Sequence, residues 1–137
     1  MNTPGDIWGI NRENIPWLVD YYRNSWPFDM VVLDESSSFK SSKAKRFKSI
    51  KLVRPRIQRL VELTGTPAPN GLEDLWAQIY LLDEGKRLGK TITGFREAYF
   101  TQDWAHPGQQ YRTYSPQDGA EGRIQQAISD ICISMKA

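Results

Sequence analysis

The sequence is poor in the residues that build metal centres and covalent crosslinks. It contains one cysteine, Cys132, and one histidine, His106. An internal disulfide therefore cannot form, and a Cys/His zinc centre would have too few ligands. Long apolar runs are also missing: a stretch such as Met30 to Leu33 falls far short of the ~20 residues that cross a bilayer. The opening Met-Asn-Thr-Pro-Gly-Asp has no basic cluster with an apolar stretch behind it, so no secretory signal is expected and the reading is a cytoplasmic address. Acidic residues are absent from one region in particular. Nine of the 18 basic residues lie between Lys40 and Arg59 with no acid among them: Lys40, Lys43, Lys45, Arg46, Lys48, Lys51, Arg54, Arg56 and Arg59.

What is present is ordinary for one globular core. The 137 residues are 39% hydrophobic and 25% charged, with a net charge of +2, too apolar for a disordered chain. The basic stretch reads either as a solvated helix face or as a surface for a polyphosphate partner, whose condensed counterions are released on binding.

Periodicity divides the chain into alternating elements. Asp6 to Asn11 is expected as a short strand, and Pro16 opens a helix through Trp17, Leu18, Tyr21 and Tyr22. Asp29-Met-Val-Val-Leu-Asp34 is a continuous apolar run, the pattern of a strand covered on both faces in a parallel sheet. Ser36 to Ser42 forms a loop, and Ala44, Phe47, Ile50 and Val53 give the basic stretch one apolar helical stripe ended by Pro55. Arg59 to Thr64 is a second buried strand, broken by Gly65, Pro67, Pro69 and Gly71. Asn70, with Glu73 three residues on, is expected to cap a helix bearing Leu72, Leu75, Trp76, Ile79 and Tyr80. Thr93 caps a short helix through Phe100, and Thr101 to Gln117 is a loop. In it, Trp104, Tyr111 and Tyr114 near Arg112 either seal the loop on the core or stack on bases. His106 reads as a surface residue. A last helix carries Ile124, Ala127, Ile128, Ile131 and Cys132 on one face, with Cys132 as core packing. The strand and helix order predicts an α/β fold, a parallel sheet flanked by helices, with fewer strands than such sheets usually have.

In a parallel sheet the carboxyl ends of strands open onto the ligand crevice. Asp34 and Glu35 follow four apolar residues at such an end. This is the Walker B arrangement, in which the Asp stands near Mg²⁺ and the Glu polarises a water for attack on a γ-phosphate. An Asp-Glu pair is also a common turn composition.

Some 30 residues on stands Leu63-Thr64-Gly65-Thr66-Pro67-Ala68-Pro69-Asn70, followed by Asp74-Leu75-Trp76. Together these segments resemble the SNF2-type enzymes of the large helicase superfamily, specifically motif II (Asp-Glu) and motif III (Leu-Thr-Gly-Thr-Pro). The likeness runs from about Met30 to Phe100, and more faintly over Ile10 to Glu13, which is similar to motif Ib. It implies that residues 1–137 are the C-terminal half of an N-terminal RecA-like, P-loop NTPase lobe. By the same resemblance Asp34 holds Mg²⁺ through water and Glu35 is the general base. Thr64, Gly65 and Thr66 contact the nucleotide side and link its state to nucleic acid, their hydroxyls reaching the motif II acids. Lys40 matches a family lysine five residues after the glutamate, and Lys43, Lys45 and Arg46 extend it as nucleic-acid contacts. The fourth motif II position, usually His or Asp, is Ser37, as in phage and prophage members.

Such an enzyme also needs a glycine-rich phosphate loop and an arginine finger from a second lobe, and neither is found. Gly85-Lys-Arg-Leu-Gly-Lys-Thr91 has three residues between its glycines where the phosphate loop has four, and follows a helix. The expectation is a fragment of an ATP-dependent DNA helicase or translocase. ATP and Mg²⁺ are its cofactors only in the complete enzyme, and the fragment is inactive alone. Its partners are DNA, the missing parts of the enzyme, and a second copy paired through open strand edges. The rival readings are a non-catalytic interaction or regulatory protein of viral origin, and a metal-dependent nuclease using Asp29, Asp34 and Glu35.

Overall fold

Two short parallel strands form the centre of the structure, a computed structural model that describes residues 5–103, 108 and 113–135. β1 (Met30–Asp34) and β2 (Arg59–Leu63) pair in register from Met30 with Arg59 to Asp34 with Leu63. The carbonyl of Asp29 begins the ladder by accepting the Gln58 and Arg59 amides at 2.8 and 3.0 Å. Between the strands lies α2 (Lys45–Val53), which packs on α1 (Ile15–Tyr22). Pro16 sits in the first turn of α1, where its missing N–H is not needed. After β2 the chain forms α3 (Leu75–Asp83) and α4 (Ile92–Tyr99), and then β3 (Phe100–Gln102) pairs antiparallel with β4 (Tyr114–Pro116). α5 (Ala120–Ile128) follows.

The helices cover one face of the β1–β2 pair. Side chains alternate across a strand, and Leu33 and Leu60 are buried with Phe39, Phe47, Ile50, Trp76, Leu81 and Ile124 in a single core. The other face is open: Met30, Val32 and Leu63 are 53%, 51% and 49% exposed. The expected burial of β1 on both faces is therefore corrected to one face, because no further layer lies over Met30 and Val32 among the described residues.

Several local expectations also shift. No strand forms at Asp6 to Asn11. Ile7 and Ile10 are exposed there, and Trp8 packs edge-on against Phe28 at 5.7 Å. Asn70 is not a side-chain cap. Its N–H instead donates to the Asp74 carboxylate at 2.8 Å, so α3 is entered through a 3₁₀ turn at Leu72–Asp74. The cap of α4 is Thr91 rather than Thr93: Thr91 is extended, and its hydroxyl accepts the Gly94 amide at 3.0 Å. Thr93 already lies inside the first turn. The loop expected from Thr101 to Gln117 contains the β3–β4 pair at its base, where Tyr114 lies under the Arg96 guanidinium at 4.8 Å. Trp104, His106, Tyr111 and Arg112 lie outside the described residues. Cys132 is exposed beyond the end of α5 rather than packed in the core.

The end of α3 gives the Gly85–Thr91 segment a structural role. The Asp83 carboxylate accepts the amides of Gly85, Lys86 and Arg87 at 2.9, 3.2 and 3.0 Å, closing a tight turn. Gly85 has φ +88, and a Cβ there would stand 2.8 Å from the Gly89 carbonyl, so only glycine fits. Arg87 joins Asp83 to Asp130 at 3.2 and 2.6 Å, fastening this turn to the segment after α5.

Candidate functional site

The carboxyl ends of β1 and β2 lie side by side, and each runs into a turn that carries polar side chains. Asp34 ends β1 opposite Leu63, and Thr64 follows Leu63 directly. Asp34 is exposed, and one of its oxygens accepts the Glu35 amide at 3.1 Å. Its other oxygen has no hydrogen-bond partner among the described residues. Glu35, also exposed, adopts left-handed φ 54 and ψ 56. For a non-glycine residue this conformation costs about 1–2 kcal/mol, so the surroundings must hold it. Phe39 does so from below: it is 0% exposed and ends the Ser36–Phe39 turn, in which the Ser38 amide donates to the Glu35 carbonyl at 3.0 Å.

On the β2 side the half-buried Thr64 accepts the Thr66 amide on its hydroxyl at 3.2 Å, which shapes the Thr64-Gly65-Thr66 turn. Gly65 and Thr66 are exposed, and a Cβ on Gly65 would meet nothing within 4 Å. Bare backbone therefore faces outward beside the acid turn. Within the described residues no hydrogen bond joins the Thr64 or Thr66 hydroxyl to Asp34 or Glu35.

The two turns are connected from beneath by Gln78 of α3. Its side-chain oxygen accepts the Ser36 hydroxyl at 3.0 Å, and its nitrogen donates to the carbonyls of Pro67 at 2.6 Å and Asp74 at 3.0 Å. Both Ser36 and Gln78 are buried, 1% and 3% exposed. Sequence reasoning missed this pair. The signal was a lone glutamine inside the apolar run Leu75 to Leu82.

Other acids do not join the pair. Glu62 points to the covered face with its register partner Leu33. Burial pushes its pKa up to about 9, against the pull of the Arg54 guanidinium, and its Oε1 has no hydrogen-bond partner. Asp29 stands at the opposite end of β1 from Asp34, so the three carboxylates a nuclease would need are not brought together. No group of three metal-ligating side chains occurs among the described residues. Asp34 with Glu35 fits Mg²⁺ nonetheless, since that ion usually keeps several waters and takes only one or two carboxylates.

A groove of about 490 Å³ starts at Asp34 and Glu35 and follows β1 to Trp26, Phe28 and Trp8. Its lining mixes the apolar Trp8, Trp26, Phe28, Met30 and Val32 with Asn11, Arg12 and Glu13, and Thr64 to Thr66 do not line it.

The basic stretch divides by role. Lys40 is half-buried just after the acid turn, Lys43 and Lys45 are exposed or nearly so, and Arg46 is half-buried on α2. None of these four forms an ion pair among the described residues. Arg54, by contrast, belongs to the scaffold. Its guanidinium donates to the carbonyls of Leu81, Ile57 and Leu82, the last two at 2.9 and 2.7 Å, satisfying the end of α3. Lys51 lies over the Tyr80 ring at 5.1 Å.

Comparison with known proteins identifies the family. The sequence profile of the SNF2-related domain matches residues 19–106. Protein p41 of Acyrthosiphon pisum secondary endosymbiont phage 1 is 38% identical over 141 residues, covering 99% of this chain and 30% of p41. Helicase SWR1 of Saccharomyces cerevisiae is 33% identical over 85 residues, covering 61% of this chain and 5% of its own length. The DNA excision repair protein ERCC-6-like of Danio rerio is 32% identical over 107 residues, covering 76% of this chain and 7% of its own length. The chain thus spans less than a third of p41 and a small fraction of the other two. No solved structure matches it.

Proposed function

The chain belongs to the SNF2-related family, and from that premise we propose that it forms the C-terminal half of the N-terminal RecA-like ATP-binding lobe of a DNA helicase or translocase. The observation that carries this reading is the juxtaposition of the Asp34-Glu35 turn and the Thr64-Gly65-Thr66 turn at the tips of two paired parallel strands. Asp34 is the residue that would hold Mg²⁺, through its water shell, and the metal would supply charge neutralisation at the phosphoryl oxygens of bound ATP. Glu35 orients the attacking water and takes its proton on a carboxylate oxygen. Thr64, Gly65 and Thr66 present a backbone and hydroxyl surface to the nucleotide side. Lys40, Lys43, Lys45 and Arg46, with no acidic partners among the described residues, serve the phosphates of the nucleic acid.

Turnover also needs a phosphate-binding loop and an arginine finger to stabilise the transferring phosphoryl group, and in this reading other parts of a longer polypeptide provide them. The open face at Met30, Val32 and Leu63 supports this, because an apolar sheet face of this kind is normally covered. In the absence of that cover, the same face and the unpaired strand edges favour association of two copies.

A phosphate-release assay with DNA tests the proposal. The isolated chain should run at background, and the longer protein carrying this segment should turn over. Glu35→Gln in that protein should lower kcat by about 10²–10⁴ fold, the range for loss of a general base. Robust hydrolysis by the isolated chain, or an undiminished rate with Glu35→Gln, overturns it.

A further inference from the structure

Gln78 is the one polar side chain set into the apolar body of α3 between Leu75 and Leu82, and leucine would fill that site without desolvating an amide. Burying an amide is unfavourable unless its hydrogen bonds are restored, and here they are. The pattern of partners also fixes the direction of each bond. The Pro67 and Asp74 carbonyls can only accept, so the Gln78 nitrogen faces them at 2.6 and 3.0 Å. The Gln78 oxygen then faces Ser36, whose hydroxyl must donate, at 3.0 Å. Ser36 adjoins Glu35 and Pro67 adjoins Thr66, so one side chain spans the two turns, with a single peptide unit between it and each candidate functional residue.

We infer that Gln78 is a positioning residue that locks the Asp34-Glu35 turn and the Thr64-Gly65-Thr66 turn into one fixed relation. It is buried behind the exposed face of the two turns rather than on it. It acts by tying the left-handed Glu35 backbone, through Ser36, to a turn that would otherwise move independently. Loss of the link leaves the buried Ser36 hydroxyl without its partner and releases the Pro67 carbonyl, and both turns loosen together. The kinetic consequence of this link rests on the ATPase reading above, whereas the mechanical link does not.

Amide hydrogen exchange on this chain separates the two. In Gln78→Leu, with folding checked by circular dichroism, segments 35–40 and 64–71 should both exchange about tenfold faster than in the unsubstituted chain. Ser36→Ala should loosen 35–40 while leaving 64–71 held by the Gln78 nitrogen. Gln78→Glu supplies the discriminating readout: at about pH 8 its carboxylate cannot donate to Pro67, and 64–71 should loosen. At lower pH, once the carboxyl is protonated, it regains one donor where the amide has two, and should recover part of the protection of 64–71 relative to the unsubstituted chain at the same pH. A mere packing role would give no such recovery. Unchanged exchange in Gln78→Leu, or loosening confined to one turn, overturns the inference. In the longer protein, Gln78→Leu should lower kcat about tenfold with KM for ATP within about twofold, as for an interaction used only in the transition state. Full activity of that variant beside an active parent also overturns it. An inactive parent counts against the ATPase reading alone, and the exchange data still decide the link.

Discussion

Replacing Glu62 by glutamine should make the stability of the chain less sensitive to alkali, by an amount that follows from its surroundings. Glu62 lies in β2 on the covered face, its Oε1 lacks a hydrogen-bond partner, and burial lifts its pKa from 4.5 to about 9. The folded pKa is above the unfolded one, so the folded chain keeps a proton that the unfolded chain releases. Its contribution to stability is complete below pH 4.5 and is progressively lost as the pH rises toward 9. Each pH unit in that window is worth about 1.4 kcal/mol, so roughly 3 kcal/mol is lost between pH 4.5 and 7 as an upper bound. Glutamine does not titrate. It brings an amide needing partners of its own, an offset of about 1–3 kcal/mol that does not vary with pH. The quantity to measure is therefore the slope: urea unfolding of both forms at pH 4.5, 7 and 9 should show the difference moving in favour of glutamine by about 3 kcal/mol over the first interval. A difference that stays flat with pH would refute the buried, protonated carboxyl.

Two further outcomes are expected. Arg54→Lys cannot reproduce the guanidinium fork that serves Ile57, Leu81 and Leu82, and should cost about 2 kcal/mol in denaturant unfolding; a loss below the error of the measurement would remove Arg54 from the scaffold. Substituting alanine at Lys40, Lys43, Lys45 and Arg46 together should weaken duplex DNA binding and flatten its salt dependence by about 0.9 in log–log slope for each phosphate no longer neutralised. Fluorescence anisotropy across a salt series measures this, and an unchanged slope would place the nucleic acid elsewhere.

Short-range pattern was enough for β1, β2, α1 and α2, because apolar runs ended by Asp34-Glu35 and Thr64-Gly65 leave little freedom, whereas the nearness of the acid and hydroxyl turns was expected from the resemblance to SNF2-type motifs. Features that depend on partners distant in sequence were not legible. Arg54 reads as one more cation in a basic run until α3 places carbonyls within its reach. Val32 reads as core because apolar strands usually are, yet whether it is covered depends on a layer its own segment cannot specify. Asn70 and Thr93 looked like caps by residue type, but a cap is decided by which backbone is extended, and for α4 that was Thr91. Gln78 bonds Ser36 from 42 positions away, a separation that no local periodicity reports.

The organisation of the described residues separates rigidity from exposure. A two-stranded sheet is marginal in isolation, so the strand tips are held by the covered face: Phe39 and Leu33 beneath the acid turn, Gln78 beneath both turns, and Arg54 tying α3 to the start of β2. The groups that would meet ligand, Asp34, Glu35, Gly65 and Thr66, all lie outside that core. The conformational entropy of ordering them is thus met when this segment folds rather than when a nucleotide or the rest of a lobe arrives. Under the ATPase proposal, adding the phosphate-binding groups should therefore give turnover without a slow refolding of the acid turn.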